Sequence, residues 1–422
     1  MADHRGRGVW KAVAVGAALL LAGALGLGRG SAAAEELRIG FLAPMTGIFA
    51  QVGTDMVSGF QMYLDEVNSD FAGAKVKFIV EDTQAKPPVA VQKADKLVRQ
   101  DKVHMFIGGL LASEGYALAP VSTREKTIYI TPVAAADDLT QRLQFPYLIR
   151  TGWTSSQPTH PFGQWACDKG YQRIAAIGAD YAFGYEVVGG FQKAFEDCGG
   201  KIVQKIWAPL GTKDFGPFLP QIKRNVDAVF TLMVGPMSLQ FPKQYKAAGM
   251  TMPLLGGGTS ADEFSLPFMG DEAIGYTTAL QYSAALDTPK NIEFVKKYRK
   301  LYGKVPSYYS ETDYTTAQWI HEVMKKTGGT WPGTDKFVEL FKGIRLDSIR
   351  GPVSLDDQLN PVENIYIRTV ERKKLFGYPD AELWNTVVKT YPNVSQYWTY
   401  GKDKFLQQPV YSRDFPPCKN CE

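Results

Sequence analysis

The sequence predicts an α/β fold of two doubly wound, Rossmann-like lobes, and three observations predict it. Aliphatic runs of strand length alternate with stretches whose apolar residues recur every three or four positions. Runs such as "VHMFIGG" and "DAVFTLMVG" are nearly continuous in apolar residues, as expected of parallel strands covered on both faces. The layout also starts twice: "RIGFLAPMTGIFAQVG" and "RIAAIGADYAFGYEVVG" each give a strand, a loop with aromatics and glycine, and a helix start.

Residues 1–34 stand apart from this pattern. Arg5, Arg7 and Lys11 precede an apolar stretch, Val13 to Leu27, and Ala32-Ala33-Ala34 forms a small-residue cleavage site, so a signal peptide is expected before Glu35. The apolar run is shorter than the roughly 20 residues of a bilayer span. Its removal takes Arg5, Arg7, Lys11 and Arg29 against Asp3, and the formal charge falls from +4 to +1. A near-neutral mature chain gives no reason to expect nucleic acid as a partner. Export places Cys167, Cys198, Cys418 and Cys421 where disulfides persist. Cys167 and Cys198 close neighbouring helices and make a plausible bridge. The C-x-x-C of Cys418 and Cys421 reads as a structural disulfide or part of a frayed tail rather than a redox or zinc motif. Four cysteines allow three pairings, among which the sequence does not choose.

In the first lobe, "LRIGFLAP" is a strand, and Val57, Phe60, Leu64 and Val67 mark the apolar face of a helix. "VKFIVED", a helix around Val91–Arg99, "VHMFIGG", a helix around Leu118–Arg124 and "TIYITP" follow. The second lobe repeats the scheme: a helix near Gln164–Lys169, "RIAAIGAD", a helix over Gly184–Asp197, "KIVQKIW", a helix through Phe218–Arg224, "DAVFTLMVG", a helix over Leu239–Gly249 and "MPLLGGG". In open α/β sheets ligands bind beyond the C-terminal strand ends, so the loops of two facing lobes would share one cleft.

The rest of the sequence offers little chemistry beyond binding. Ser113 is not in a G-x-S-x-G elbow and has no marked His and acid partners, so no enzyme is expected. His104, in a strand, His160, in a Pro-rich crossover, and His321, on a helix, are too scattered for a metal site, and no cofactor is expected. "GGGTS" lacks the lysine and spacing of a phosphate loop. Asp137-Asp138 and Asp356-Asp357 read as turn or capping residues pointing to different sides. By contrast, Tyr181, Phe183 and Tyr185 crowd into "GADYAFGYE" at a strand end, where rings are well placed to wall a ligand.

"IGFLAPMTGIFAQVGTDMVSGFQMYLDEVN", "FIGGLLASEGYALAPV", "YITPVAAADDLT", "DYAFGYEVVGGFQKAFEDCGGKI", "GPVSLDDQLNPVENIYIRTV" and "VSQYWTY" resemble the periplasmic solute-binding proteins of branched-chain amino-acid-type ABC importers, over residues 36–400 in order. The resemblance implies the type I periplasmic binding protein fold, with a hinge of three crossovers. Lobe one would comprise residues 35–152 plus 283–352, and lobe two 153–282 plus 353–422. It further implies a monomer in the periplasm that closes around a small ligand and hands it to permease and ATPase subunits. Carried over by position, the ligand carboxylate would meet Ser113 or Ala112 and the loop Val133, Ala134 and Ala135. The glutamate that holds an ammonium in the family falls on Gly258. Without that acid, a buried ammonium lacks its partner, so the expected ligand is a small carboxylate, foremost an aromatic acid. Phe49, Val52, Tyr181, Phe183, Pro236 and Tyr282 complete the expected site, and Tyr116 is a further ring for stacking. The alternatives are a branched-chain or other amino acid, with Asp262 or Glu263 in place of the missing glutamate, or a ligand-sensing module of the same fold.

Overall fold

The structure, a computed structural model, describes residues 36–421, so the expected leader lies outside the described residues. The first sheet and its helices run through β1 (Glu36–Ala43), α1 (Ala50–Glu66), β2 (Asp70–Phe71), β3 (Ala74–Asp82), α2 (Pro87–Arg99), β4 (Met105–Gly108), α3 (Ala112–Glu125), β5 (Ile128–Thr131) and β6 (Leu148–Arg150). The strand order is β2-β3-β1-β4-β5-β6, parallel except for the short edge pairing of β2 with β3. β4 and β5 are buried at every position, which is why their sequences are unbroken apolar runs.

The chain then enters a second sheet through α4 (Thr159–Asp168), β7 (Arg173–Ala179), α5 (Ala182–Asp197), β8 (Lys201–Ala208), β9 (Ala228–Leu232), α6 (Pro236–Ala247), β10 (Leu254–Gly257) and β11 (Thr277–Leu280). It returns to the first sheet with α7 (Pro289–Tyr302), α8 (Tyr308–Lys326) and α9 (Thr334–Lys342). α8 lies so close to α1 that a Cβ on Gly59 would stand 1.9 Å from the Ser310 carbonyl oxygen, so only glycine fits there. A third crossing leads to β12 (Leu346–Ser348), β13 (Gly351–Leu355), β14 (Pro361–Lys373), β15 (Glu382–Val394) and α10 (Lys402–Leu406). The second sheet is ordered β12-β13-β14-β11-β10-β9-β7-β8, with β15 antiparallel to β14.

Several local expectations are corrected. The helix expected through Phe218–Arg224 is a single 3-10 turn, Leu219–Gln221, because Pro217 and Pro220 remove the backbone donors that a helix would need. The helix expected near Gln164 starts at Thr159, so His160 lies in it rather than in a crossover. His104 stands one residue before β4 and accepts the Arg38 N–H through Nδ1 at 3.0 Å. The C-terminal tail is docked, not frayed: Lys205 Nζ donates to the Pro416 carbonyl at 2.6 Å, Gln192 to that of Pro417 at 3.0 Å, and Tyr411 Oη pairs with His160 Nε2 at 3.0 Å. Of the three pairings open to the sequence, the structure has Cys167–Cys198, joining the ends of α4 and α5, and Cys418–Cys421.

A buried arginine ties down each crossing, Arg150 from the end of β6, Arg350 from between β12 and β13, and Arg368 from within β14 by way of the Tyr282 carbonyl, and all three nitrogens of each guanidinium donate. Arg150 holds the carbonyls of Ala134 and Trp153 at 2.9 Å and of Ala136 at 2.6 Å, with Nε on Thr140 Oγ1 at 3.2 Å. Arg350 reaches Glu363 at 2.7 Å, Glu311 at 3.2 Å and the Thr151 carbonyl at 2.6 Å. Arg368 reaches Thr278 at 3.1 Å, Glu263 at 3.3 Å, and the carbonyls of Tyr282 at 2.7 Å and Gly258 at 2.9 Å.

Candidate ligand-binding site

The C-terminal ends of β1, β4, β5, β7, β9 and β10 feed one narrow, partly open cavity of about 30 Å3 between the two sheets, so a ligand is admitted only as the walls move apart. Its wall comprises Phe49, Leu110, Leu111, Ala112, Val133 and Ala135 from the first-sheet loops, and Tyr181, Phe183, Val234 and Thr259 from the second. Trp153 of the first crossing and Tyr308 and Tyr309 of α8 complete it. No charged side chain is among these residues.

The rings hold one another in fixed attitudes. Trp153 stands edge-on to Phe183 at 5.5 Å and to Tyr308 at 6.0 Å, and Tyr181 lies 6.0 Å from Phe183. Phe49 reaches across from the first half, with Cε1 2.6 Å from where a Cβ of Gly235 would sit, so only a glycine there leaves room for the ring. Gly184 serves the same purpose locally: α5 starts so near β7 that a Cβ would lie 1.9 Å from the Ala179 carbonyl oxygen. That close start puts Tyr181 and Phe183 over the cavity. Tyr185 points away, donating to Asp180 at 2.5 Å and standing edge-on to Trp207.

Polar capacity comes from backbone ends. Glu114 Oε2 accepts the N–H groups of Leu110 and Leu111 at 3.0 and 2.9 Å, leaving those of Ala112 and Ser113 without an acceptor in the protein at the positive end of α3. α5 likewise presents the N–H groups of Ala182 and Phe183. The buried Trp153 Nε1–H also lacks an acceptor. Such a wall offers an aromatic slot and several donors, and no carboxylate side chain lines it.

Of the residues expected from sequence, Phe49, Ala112, Val133, Ala135, Tyr181 and Phe183 meet at this cavity. Val52 is instead buried in α1, Pro236 is the first residue of α6, and Ala134 turns its carbonyl to Arg150. Tyr282 is fully buried and donates to Asn291 at 2.9 Å, so it is a core residue. The Ser113 side chain is half-buried outside the wall. At Gly258 a Cβ would stand 2.5 Å from Leu280 Cδ1, so the position expected for an acid is filled from below and its carbonyl is held by Arg368. Glu263 is taken by Arg368 and by the Ala284 N–H at 3.1 Å. Burial holds Asp262 well above the usual carboxylate range, and the neighbouring Glu263 adds to this.

Beside the cavity the two halves share a buried carboxylate pair that the sequence reading missed. Glu186 of α5 accepts from Tyr116 Oη and from the Asp137 N–H, both at 3.2 Å, and Asp137 accepts the Ser156 N–H at 3.0 Å. Burial, and then the Asp137 charge, holds Glu186 well above its usual range, and burial pushes Asp137 up to about 6. Asp137 and Asp138 do lie in a tight turn, but only Asp138, paired with Arg142 at 2.6 Å, behaves as a plain turn residue. Tyr116 thus serves this pair, not a stacking wall.

A larger open groove of about 350 Å3 lies elsewhere, and its cations are already paired: Arg299 with Glu382, Lys304 with Asp55 and Arg372 with Asp271. Among the described residues, no group of three or more His, Cys, Asp or Glu is placed to hold a metal ion, and no helix is long and apolar enough to cross a membrane.

A family model described as periplasmic binding protein matches residues 36–374. A solute-binding protein of an ABC transporter from Rhodopseudomonas palustris BisB5, solved in complex with 3,4-dihydroxybenzoic acid, is 32% identical, with a TM-score of 0.81 over 86% of this chain and 98% of that one. Another, from Rhodopseudomonas palustris HaA2 in complex with p-hydroxybenzoic acid, is 28% identical, with a TM-score of 0.79 over 86% and 99%. The Leu/Ile/Val-binding protein homolog 6 of Brucella melitensis is 29% identical over 86% of this chain and 94% of its own length.

Proposed function

The chain belongs to the periplasmic binding protein family, as a solute-binding protein of the ABC-transporter kind with the type I fold, and on that premise we propose that it captures a small aromatic carboxylic acid between two closing lobes in the periplasm. On this reading the lobes are residues 36–152 plus 283–345 and residues 153–282 plus 346–421. The last boundary falls earlier than the expected 352 because β12 and β13 already belong to the second sheet. The closed monomer is what permease and ATPase subunits read. The observation that carries this reading is the wall itself: aromatic side chains and unpaired N–H donors, with no carboxylate to meet an ammonium. The two similar proteins solved with hydroxylated benzoic acids support it. In the bound state the carboxylate meets the N–H groups of Ala112 and Ser113 at the start of α3, and the ring lies among Phe49, Tyr181 and Phe183.

An amino-acid ligand is the second reading, favoured by the Leu/Ile/Val-binding relative and by the buried Asp262 Oδ1, which has no hydrogen-bond partner. Thermal unfolding of the mature protein with benzoate, 4-hydroxybenzoate, phenylpropanoate, leucine and valine separates them. A ligand at 100 times its dissociation constant adds about 2.7 kcal/mol. Stabilisation by the aromatic acids alone is expected, and stabilisation by leucine or valine alone would replace this reading with the second.

A further inference from the structure

Among the polar atoms of the cavity wall, one side-chain donor stands out. Trp153 is 2% exposed, lines the cavity, and its Nε1–H meets no acceptor in the protein. Buried donors are rarely left unmade, because each then carries its full desolvation penalty. The ring is fixed edge-on against both Phe183 and Tyr308. Its backbone carbonyl is held by Arg150 Nη1 at 2.9 Å, the same guanidinium that ties down Ala134 and Ala136 after β5. A ring so held does not swing its N–H to a protein acceptor, and the ring itself borders the cavity, so parting of the walls brings the N–H within reach of a ligand.

We propose that Trp153 is a specificity-determining residue whose indole N–H donates to an oxygen of the bound ligand. The ligand class is then an oxyacid with an acceptor directed at the first crossing, in addition to any oxygen held at the start of α3. A ligand that turns an apolar end to Trp153 leaves the donor unmade and is rejected. Because Trp153 belongs to the crossing and not to a strand-end loop, ligand contact there also bears on the segment that flexes when the halves part. The inference rests on the cavity being the ligand chamber, as proposed above, but not on the ligand being aromatic.

Nitrogen-15 NMR of the mature protein tests it, with the Trp153 indole cross-peak assigned by its absence in Trp153→Phe and the other tryptophans as references. 4-Hydroxybenzoate, which carries an oxygen at each end, and leucine are titrated separately. The expected result is a downfield shift and slowed solvent exchange of the Trp153 indole proton with whichever probe binds, and roughly tenfold weaker binding of that probe to Trp153→Phe. Trp153→Tyr replaces the phenylalanine variant if that folds poorly. An unmoved peak in the presence of a bound probe overturns the inference, and lowered affinity with an unmoved peak assigns Trp153 to packing alone. A peak that moves with leucine while 4-hydroxybenzoate fails to bind keeps Trp153 and removes the aromatic-acid reading. Binding of neither probe at millimolar concentration removes the cavity as an oxyacid chamber, and the inference with it.

Discussion

At the three crossings Arg150, Arg350 and Arg368 are buried with every guanidinium nitrogen donating, whereas the adjoining cavity is walled by rings and leaves the N–H groups of Ala112, Ser113 and Trp153 without acceptors. Both regions are largely buried, so burial alone does not account for the difference. It lies in when the hydrogen bonds are made: during folding at the crossings, and only on binding in the cavity. A satisfied polar network fixes the geometry of the segments it ties, and an unsatisfied one favours whatever brings the missing acceptor. Substitutions at the crossings should therefore appear in stability, and substitutions at the cavity in affinity.

The hardest break of that contrast is Arg350→Met. It leaves Glu311 and Glu363 buried without their cation, and urea unfolding should show a loss of about 3–5 kcal/mol. A loss within the range of surface substitutions would mean that the crossing does not depend on its arginine. Ser113→Pro, at the second residue of α3, removes an N–H that no protein acceptor uses. It should leave stability nearly unchanged while weakening benzoate by roughly 1–3 kcal/mol in calorimetry.

Glu186→Gln probes the seam between the regions through pH. The folded-state pKa values of Glu186 and Asp137 are both raised, the latter to about 6, so the pair's contribution is lost as pH rises through that value and above. It is fully present below the unfolded carboxylate value of about 4.3. Tyr116, Tyr181, Asp138, Arg150 and Tyr411 are the titratable groups facing the pair. Comparing wild type with variant cancels other contributions, including that of His160, which burial holds down to about 3. Wild-type stability relative to Glu186→Gln should fall between pH 5 and 7.5, by at most about 1.4 kcal/mol per pH unit, and parallel profiles would remove Glu186 from the balance. The smallest effect is expected of Ser113→Ala. It keeps the backbone N–H and should change benzoate affinity by less than about 0.5 kcal/mol; a larger loss would restore the hydroxyl to the site.

Much of the fold was legible because buried parallel strands leave unbroken apolar runs, and strand-end loops follow from those. Phe49, Tyr181 and Phe183 are expected from those loops and Val133 from the family resemblance, and all four line the cavity. Tyr308, Tyr309 and Trp153 were not, since a helix after the second crossing and the first crossing itself reach the cavity only once three segments distant in sequence have folded together. The crossing arginines did leave a signal: "LIRTG", "SIRGP" and "YIRTV" each place an arginine after isoleucine in an otherwise strand-like stretch. A charge in such a place implies buried partners. Residues Phe218–Arg224 show the reverse: the expected helix shrinks to the turn Leu219–Gln221 because Pro217 and Pro220 decide the backbone there.

The approach of α1 to α8 at Gly59 and Ser310 also bears on the order in which the chain becomes foldable. The strands of the first sheet are complete by Arg150, yet the helix that covers α1 begins at Tyr308, beyond nearly all of the second sheet's parallel strands. A chain appearing from its N-terminus therefore exposes the apolar face of α1 until most of its length has arrived. The first half cannot mature on its own ahead of the second, and a carrier that shields unfinished apolar surface has the longest task while those intervening residues are still emerging.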